Sequence, residues 1–139
     1  MRYSVVAVGK AKAPYLDDLQ HYGKLLSRYA RVDVIEVADD EALQRRIPER
    51  AWVCLLDSRG KSYRSEAFAA WLEERRQAGR DVAFVIGGPD GLAPTLSDQA
   101  DLHLAFGALT WPHQLVRIML LEQIYRATTI LSGHPYHRE

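Results

Sequence analysis

One cysteine stands in the 139 residues, so no internal disulfide can form and the fold must rest on packing and hydrogen bonding. That residue, Cys54, lies inside Ala51-Trp52-Val53-Cys54-Leu55-Leu56 with nothing beside it to lower its pKa; it reads as a buried, inert thiol, not a nucleophile. Charge of one sign is equally missing, since 18 lysines and arginines balance 18 aspartates and glutamates. A chain-wide positive field is thereby excluded, and contact with RNA or DNA has to come from a local cluster of cations or from shape. No apolar run approaches the roughly 20 residues of a membrane span. Met1-Arg2-Tyr3-Ser4 leads straight into a strand pattern without a secretory signal, so a cytoplasmic protein with no membrane partner is expected. Three common sites are absent by spacing. The first strand ends in Val8-Gly9-Lys10-Ala11-Lys12, which lacks the Gly-x-Gly-x-x-Gly of dinucleotide folds, and neither a Gly-x-x-x-x-Gly-Lys phosphate loop nor a Gly-x-Ser-x-Gly elbow occurs. His134 and His137 sit in a terminal tail without the cysteine or acidic partners of a metal site, so no metal is expected.

What is present is ordinary for a globular protein: 47% apolar and 26% charged residues, in a length that fits one domain over residues 1–139. Tyr3 to Val8 is a β-rich run, and Pro14 stands where the first turn of a helix tolerates it. That helix extends to about Arg28, with Leu16, Leu19, Tyr22, Leu26 and Tyr29 on one face. Val32 to Val37 alternates as a second strand. Asp39-Asp40-Glu41 opens a short helix that closes with Arg45 and Arg46 before Pro48, a charge order that suits the helix dipole. Ala51 to Leu56 is a third strand ending in a loop, Asp57-Ser58-Arg59-Gly60-Lys61. Ser65 can cap a helix that Gly79 stops. Val82 to Ile86 and Leu102 to Ala105 are the remaining strands, and the longest helix runs from His113 to about Ser132, with Gly133 ending it. Alternation of strands and helices predicts an α/β fold: a mostly parallel sheet sandwiched by helices. The last helix is apolar nearly all round, which points to burial on several sides and makes a second copy of the chain the economical partner.

The stretch from Ala83 to Pro112 is where chemistry is expected. The fourth strand breaks into Gly87-Gly88-Pro89-Asp90-Gly91 and the fifth into Phe106-Gly107-Ala108-Leu109-Thr110-Trp111-Pro112. Ligands of parallel sheets sit beyond the carboxyl ends of strands, and glycine lets backbone approach a ligand closely. These loops read as two walls of a binding site. Taken alone, the glycine loop is also compatible with a plain turn, and the tail His134-Pro135-Tyr136-His137-Arg138-Glu139 with a frayed end.

Four motifs in one order alter that balance. Val6-Ala7-Val8-Gly9-Lys10, Ile86-Gly87-Gly88-Pro89-Asp90-Gly91, Ala108-Leu109-Thr110-Trp111-Pro112-His113 with Leu115-Val116-Arg117, and the terminal His134 to Glu139 together resemble the ribosomal RNA large subunit methyltransferase H family, small members of the SPOUT class. The likeness spans essentially the whole chain, although Gly107 stands where that family commonly has a serine and Trp111 where it has a smaller apolar residue. The resemblance implies a trefoil-knotted C-terminal half and a homodimer. It also implies S-adenosylmethionine-dependent methylation of N3 of a pseudouridine in large-subunit ribosomal RNA, with the assembled ribosome as partner. Carried over, the cofactor contacts are Leu56, Gly88, Gly107, Ala108, Leu109, Thr110, Trp111 and Pro112, which lie just beyond strand ends and offer backbone groups and apolar side chains suited to an adenine. In the tail, Arg138 can stabilise an anionic base or grip a phosphate, Tyr136 can stack on or place the base, and His137 can assist proton removal. A noncatalytic RNA-binding module and a flavodoxin-like nucleotide-binding protein are the rival readings; neither accounts for the terminal motif.

Overall fold

The computed structural model describes residues 2–88 and 93–138. Its elements follow in the order β1 (Arg2–Val8), α1 (Tyr15–Leu26), β2 (Arg31–Val37), α2 (Asp40–Arg46), β3 (Trp52–Ser62), α3 (Ser65–Gln77), β4 (Val82–Ile86), α4 (Pro94–Gln99), β5 (Leu102–Ala105) and α5 (His113–Ser132). The five strands form one parallel sheet in the order β2-β1-β4-β3-β5. Parallel strands need both faces covered, and the sequence alternates accordingly. Val5, Ala7, Cys54, Phe84 and Ile86 face one layer, where Leu19 and Leu26 of α1, Phe68 and Leu72 of α3, and Leu120, Leu121 and Ile124 of α5 complete the core. Val6, Val53, Leu55, Ala83 and Val85 face the other, against Leu43 of α2 and Leu96 of α4. The α/β fold with its parallel sheet and flanking helices is as expected from the alternation.

Four details differ from expectation. Helix α4 has no counterpart in the sequence reading: six residues are too few to display a helical period, and only Pro94 at its start signals it. Strand β3 does not stop at Leu56 but runs to Ser62, with a register break after which Lys61 lies opposite Leu104, the same partner as Leu56. Gly60 permits this, because a Cβ there would lie 2.5 Å from the carbonyl oxygen of His103. Ser65 is the first residue inside α3, not its cap; its hydroxyl donates to Oε1 of Gln123 on α5 at 3.1 Å, so a tertiary partner has displaced the local one. Finally, α5 finds most of its cover within its own chain. It packs on α1 and α3 and over the sheet, which buries Ile118, Leu120, Leu121, Ile124, Tyr125 and Ala127 and leaves Leu131 exposed. Apolar circumference alone therefore does not require a second copy.

Candidate functional site at the strand ends

The carboxyl ends of β3, β4 and β5 open into a cavity of about 910 Å³. Leu56 from β3, Gly88 after β4, and Gly107, Leu109, Thr110, Trp111 and Pro112 after β5 all line it, so segments more than fifty residues apart in sequence meet in one place. Ala108 belongs to the same loop without lining the cavity. Pro89, Asp90 and Gly91 of the glycine turn lie outside the described residues. Among the residues of the wall to which the sequence reading gave no role are Asp57 and Arg59 in the continuation of β3 and His113 at the start of α5. Their only signal was position next to a strand end.

The 106–112 loop is built by its own residues. Gly107 has φ +88°, a left-handed conformation in which any side chain is strained, and the indole Nε1 of Trp111 donates to the carbonyl of Phe106 at 3.1 Å, closing the loop on itself. Trp111 in place of a smaller residue thus has a local role. Leu109, left 72% exposed, holds an apolar side chain at the cavity. Gly88 is constrained from behind: a Cβ there would lie 3.1 Å from Cγ1 of Val8 on the neighbouring β1, so its lack of a side chain serves strand packing and not only ligand approach.

Charged groups at the cavity are few. Asp57 is held below the usual carboxylate range, first by the backbone N–H of Arg59 at 3.0 Å and then, against its partial burial, by His103, whose Nδ1 lies 3.4 Å from the other oxygen. His113 is pushed down by desolvation and by the charges of Arg117 and Lys12, and its Nδ1 is buried without a protein partner. A neutral imidazole with an unsatisfied nitrogen therefore lines the cavity. Arg117, fully buried, donates to the carbonyls of Val8 and Gly9 at 2.5 and 2.9 Å and pairs with Glu36 at 3.2 Å, tying α5 to the end of β1. This cavity, with exposed loop backbone, apolar contacts and one polar nitrogen to spare, has the donor set and size for a nucleoside-bearing ligand.

The described residues of the tail lie elsewhere. The Tyr136 hydroxyl donates to Glu122 at 3.2 Å, and its ring packs edge-on against Tyr125. His137 bridges Arg126, 3.0 Å from Nδ1, and Glu66, 3.0 Å from Nε2. Arg138 is exposed. None of the three lines the cavity of its own chain. Tyr136 is pushed up to about 12 by burial and then by the Glu122 carboxylate, which keeps it a neutral donor in this position.

Comparison with known proteins places the chain in a family. The family described as "Predicted SPOUT methyltransferase" matches residues 1–137. A "Ribosomal RNA large subunit methyltransferase H" from Paracoccus denitrificans is 46% identical over the whole of both chains, and those from Allorhizobium ampelinum and Cereibacter sphaeroides are 44% identical over 99% of both. Among solved structures, a putative methyltransferase of Legionella pneumophila in complex with the bound cofactor SAM superposes with a TM-score of 0.54 at 11% identity, over 91% of this chain and 66% of that one. At that identity the likeness speaks for the fold alone, whereas the full-length matches above 40% speak for descent: the chain belongs to the SPOUT methyltransferases and, within them, to the ribosomal RNA large subunit methyltransferase H family.

Proposed function

We propose that this protein transfers a methyl group from S-adenosylmethionine to N3 of a pseudouridine in large-subunit ribosomal RNA, acting in the cytoplasm on the ribosome as a homodimer with a trefoil-knotted C-terminal half. The observation that carries the reading is convergence. Leu56, Gly88 and the 107–112 loop, each assigned to the cofactor by resemblance, line one cavity of about 910 Å³. Family membership supports the reaction class, and the names of the relatives support ribosomal RNA as the acceptor.

S-adenosylmethionine, when bound, supplies a methyl group activated on a sulfonium. The backbone of the 107–112 loop and the side chains of Leu56 and Leu109 hold its nucleoside part, and Gly88 keeps the floor of the cavity open. The remaining work is alignment and proton removal at the acceptor nitrogen, for which the tail carries the candidate groups. Arg138 stabilises the base as it becomes anionic, Tyr136 places the base, and His137 takes up the proton. Because none of these lines the cavity of its own chain, a second copy supplies the tail.

Titration calorimetry with S-adenosylmethionine, followed by a methylation assay on ribosomes lacking the modification, tests the reading. Deleting Tyr136 to Glu139 should leave cofactor affinity within a few-fold and remove most methylation. Arg138→Ala should reproduce much of that loss, since one charge-assisted contact made in the transition state is worth roughly 2–4 kcal/mol, about 30- to 1000-fold in rate. Protein that binds ribosomal RNA but not S-adenosylmethionine would instead be a noncatalytic binding module.

A further inference from the structure

Lys10 and Lys12 lie in the connection between β1 and α1, in a motif used above for resemblance but so far without a function. The connection is fastened at nearly every residue. Gly9 N–H donates to the Val37 carbonyl at 2.7 Å, and the Gly9 carbonyl accepts from Arg117 at 2.9 Å. Ala11 N–H donates to Glu36 at 2.5 Å. Gln114 of α5 grips the loop twice, donating to the Lys10 carbonyl at 2.9 Å and accepting from Lys12 N–H at 3.3 Å. A fully buried arginine and a glutamine are thus spent on holding a loop of four residues still. Only the backbone of the two lysines takes part in this network. They are exposed, and among the described residues neither ammonium has an ion-pair or hydrogen-bond partner.

Their place matters more than their number. Gln114 follows His113, which lines the cavity, and the charge of Lys12 is felt at that imidazole. The arginine on the cavity wall itself, Arg59, is already paired with Asp57 at 3.7 Å. Net charge is zero, so any electrostatic hold on an RNA partner has to come from local cations. The backbone that carries these two unpaired ammonium groups is already fixed and is held by Gln114, next to the cavity-lining His113, so contact with a phosphate adds no cost of ordering the loop.

We propose that the Gly9–Lys12 loop is a rigid grip for the RNA backbone, with Lys10 and Lys12 contacting phosphates that flank the nucleotide presented to the cavity. The inference rests on the function proposed above and deepens it by naming the surface that the acceptor RNA meets.

The test is the double variant Lys10→Gln/Lys12→Gln, with direct binding to large ribosomal subunits measured across salt concentrations beside steady-state methylation. S-adenosylmethionine affinity should stay within about two-fold. Subunit binding should weaken about 5- to 30-fold at low salt, and the slope of log K against log salt should shrink by about 1.4 to 1.8, the share of two phosphate contacts. The loss should appear in KM far more than in kcat, and Lys10→Arg/Lys12→Arg should restore it because charge is retained. An unchanged salt slope, or a loss that arginine does not rescue, overturns the inference. The two readings fail separately. If ribosomes are methylated while the slope is unchanged, only the grip is wrong; if binding shows the lysine dependence but no methyl group is transferred, the grip stands and the proposed reaction falls.

Discussion

Gly88 was legible as a glycine that matters, but the reason lies across the sheet in Val8. Gly88→Val should therefore lower stability by about 1–3 kcal/mol through overpacking as well as weaken cofactor binding. Combining it with Val8→Ala should recover part of the stability in a double-mutant cycle read by urea denaturation. His113 offers a pH signature. Its folded-state pKa is pushed below the ordinary value of 6.5, so the unfolded chain takes up a proton first as pH falls. The stability this neutral imidazole contributes is fully present above that value and lost as pH drops towards the folded pKa. Wild-type protein should thus lose more melting temperature between about pH 8 and about pH 5 than His113→Asn. Equal losses would show that the imidazole is solvated in both states. Asp57 and His113 are not legible in the sequence, because nothing in a linear motif says which residue after a strand end lines the cavity.

Helix α5 illustrates a different limit. Its bounds, His113 to Ser132, follow from Pro112 before it and Gly133, at φ +75°, after it, and both local signals were readable. Which faces it buries was not, because cover comes from α1 and α3, far away in sequence. Ile124→Asp should therefore unfold the chain and not simply split a dimer, since the carboxylate would enter a fully buried site without a partner. Far-UV circular dichroism distinguishes the two outcomes. Arg117 is the helix's other commitment. Arg117→Met leaves the Val8 and Gly9 carbonyls without their donor and Glu36 without its cation, and should cost about 3–5 kcal/mol. Arg117→Lys, a single point charge in place of a planar fork, should recover only part.

For the assembled protein, the proposed function makes the cavity and the tail two half-sites on one chain. If a second copy brings them together, a mixture of two defective chains should work. Leu109→Arg places a charge at an exposed cavity position, while removal of Tyr136 to Glu139 spares the cavity. Each homodimer should be inactive. Chains refolded together should regain a substantial fraction of methylation, because the mixed dimer pairs one intact cavity with one intact tail. No recovery, despite mixed dimers seen by mass spectrometry, would place the tail in its own chain's site. Sedimentation at micromolar concentration should show a dimer for wild type.

The sequence by itself determined the α/β class, the strand and helix succession apart from α4, the buried inert Cys54 and the three strand-end segments of the cavity. Each of these follows from periodicity, turn chemistry or a motif confined to a few neighbouring residues. Only the tertiary structure decided what those segments face. It extended β3 past Leu56 because Gly60 can lie on β5, turned Ser65 from a cap into a partner of Gln123, and set Tyr136 and His137 on α5 and α3, away from the cavity. The physical reason is the same throughout: local signals rank the conformations of a few residues, whereas a contact across some fifty or a hundred positions exists only once the sheet has brought its ends together.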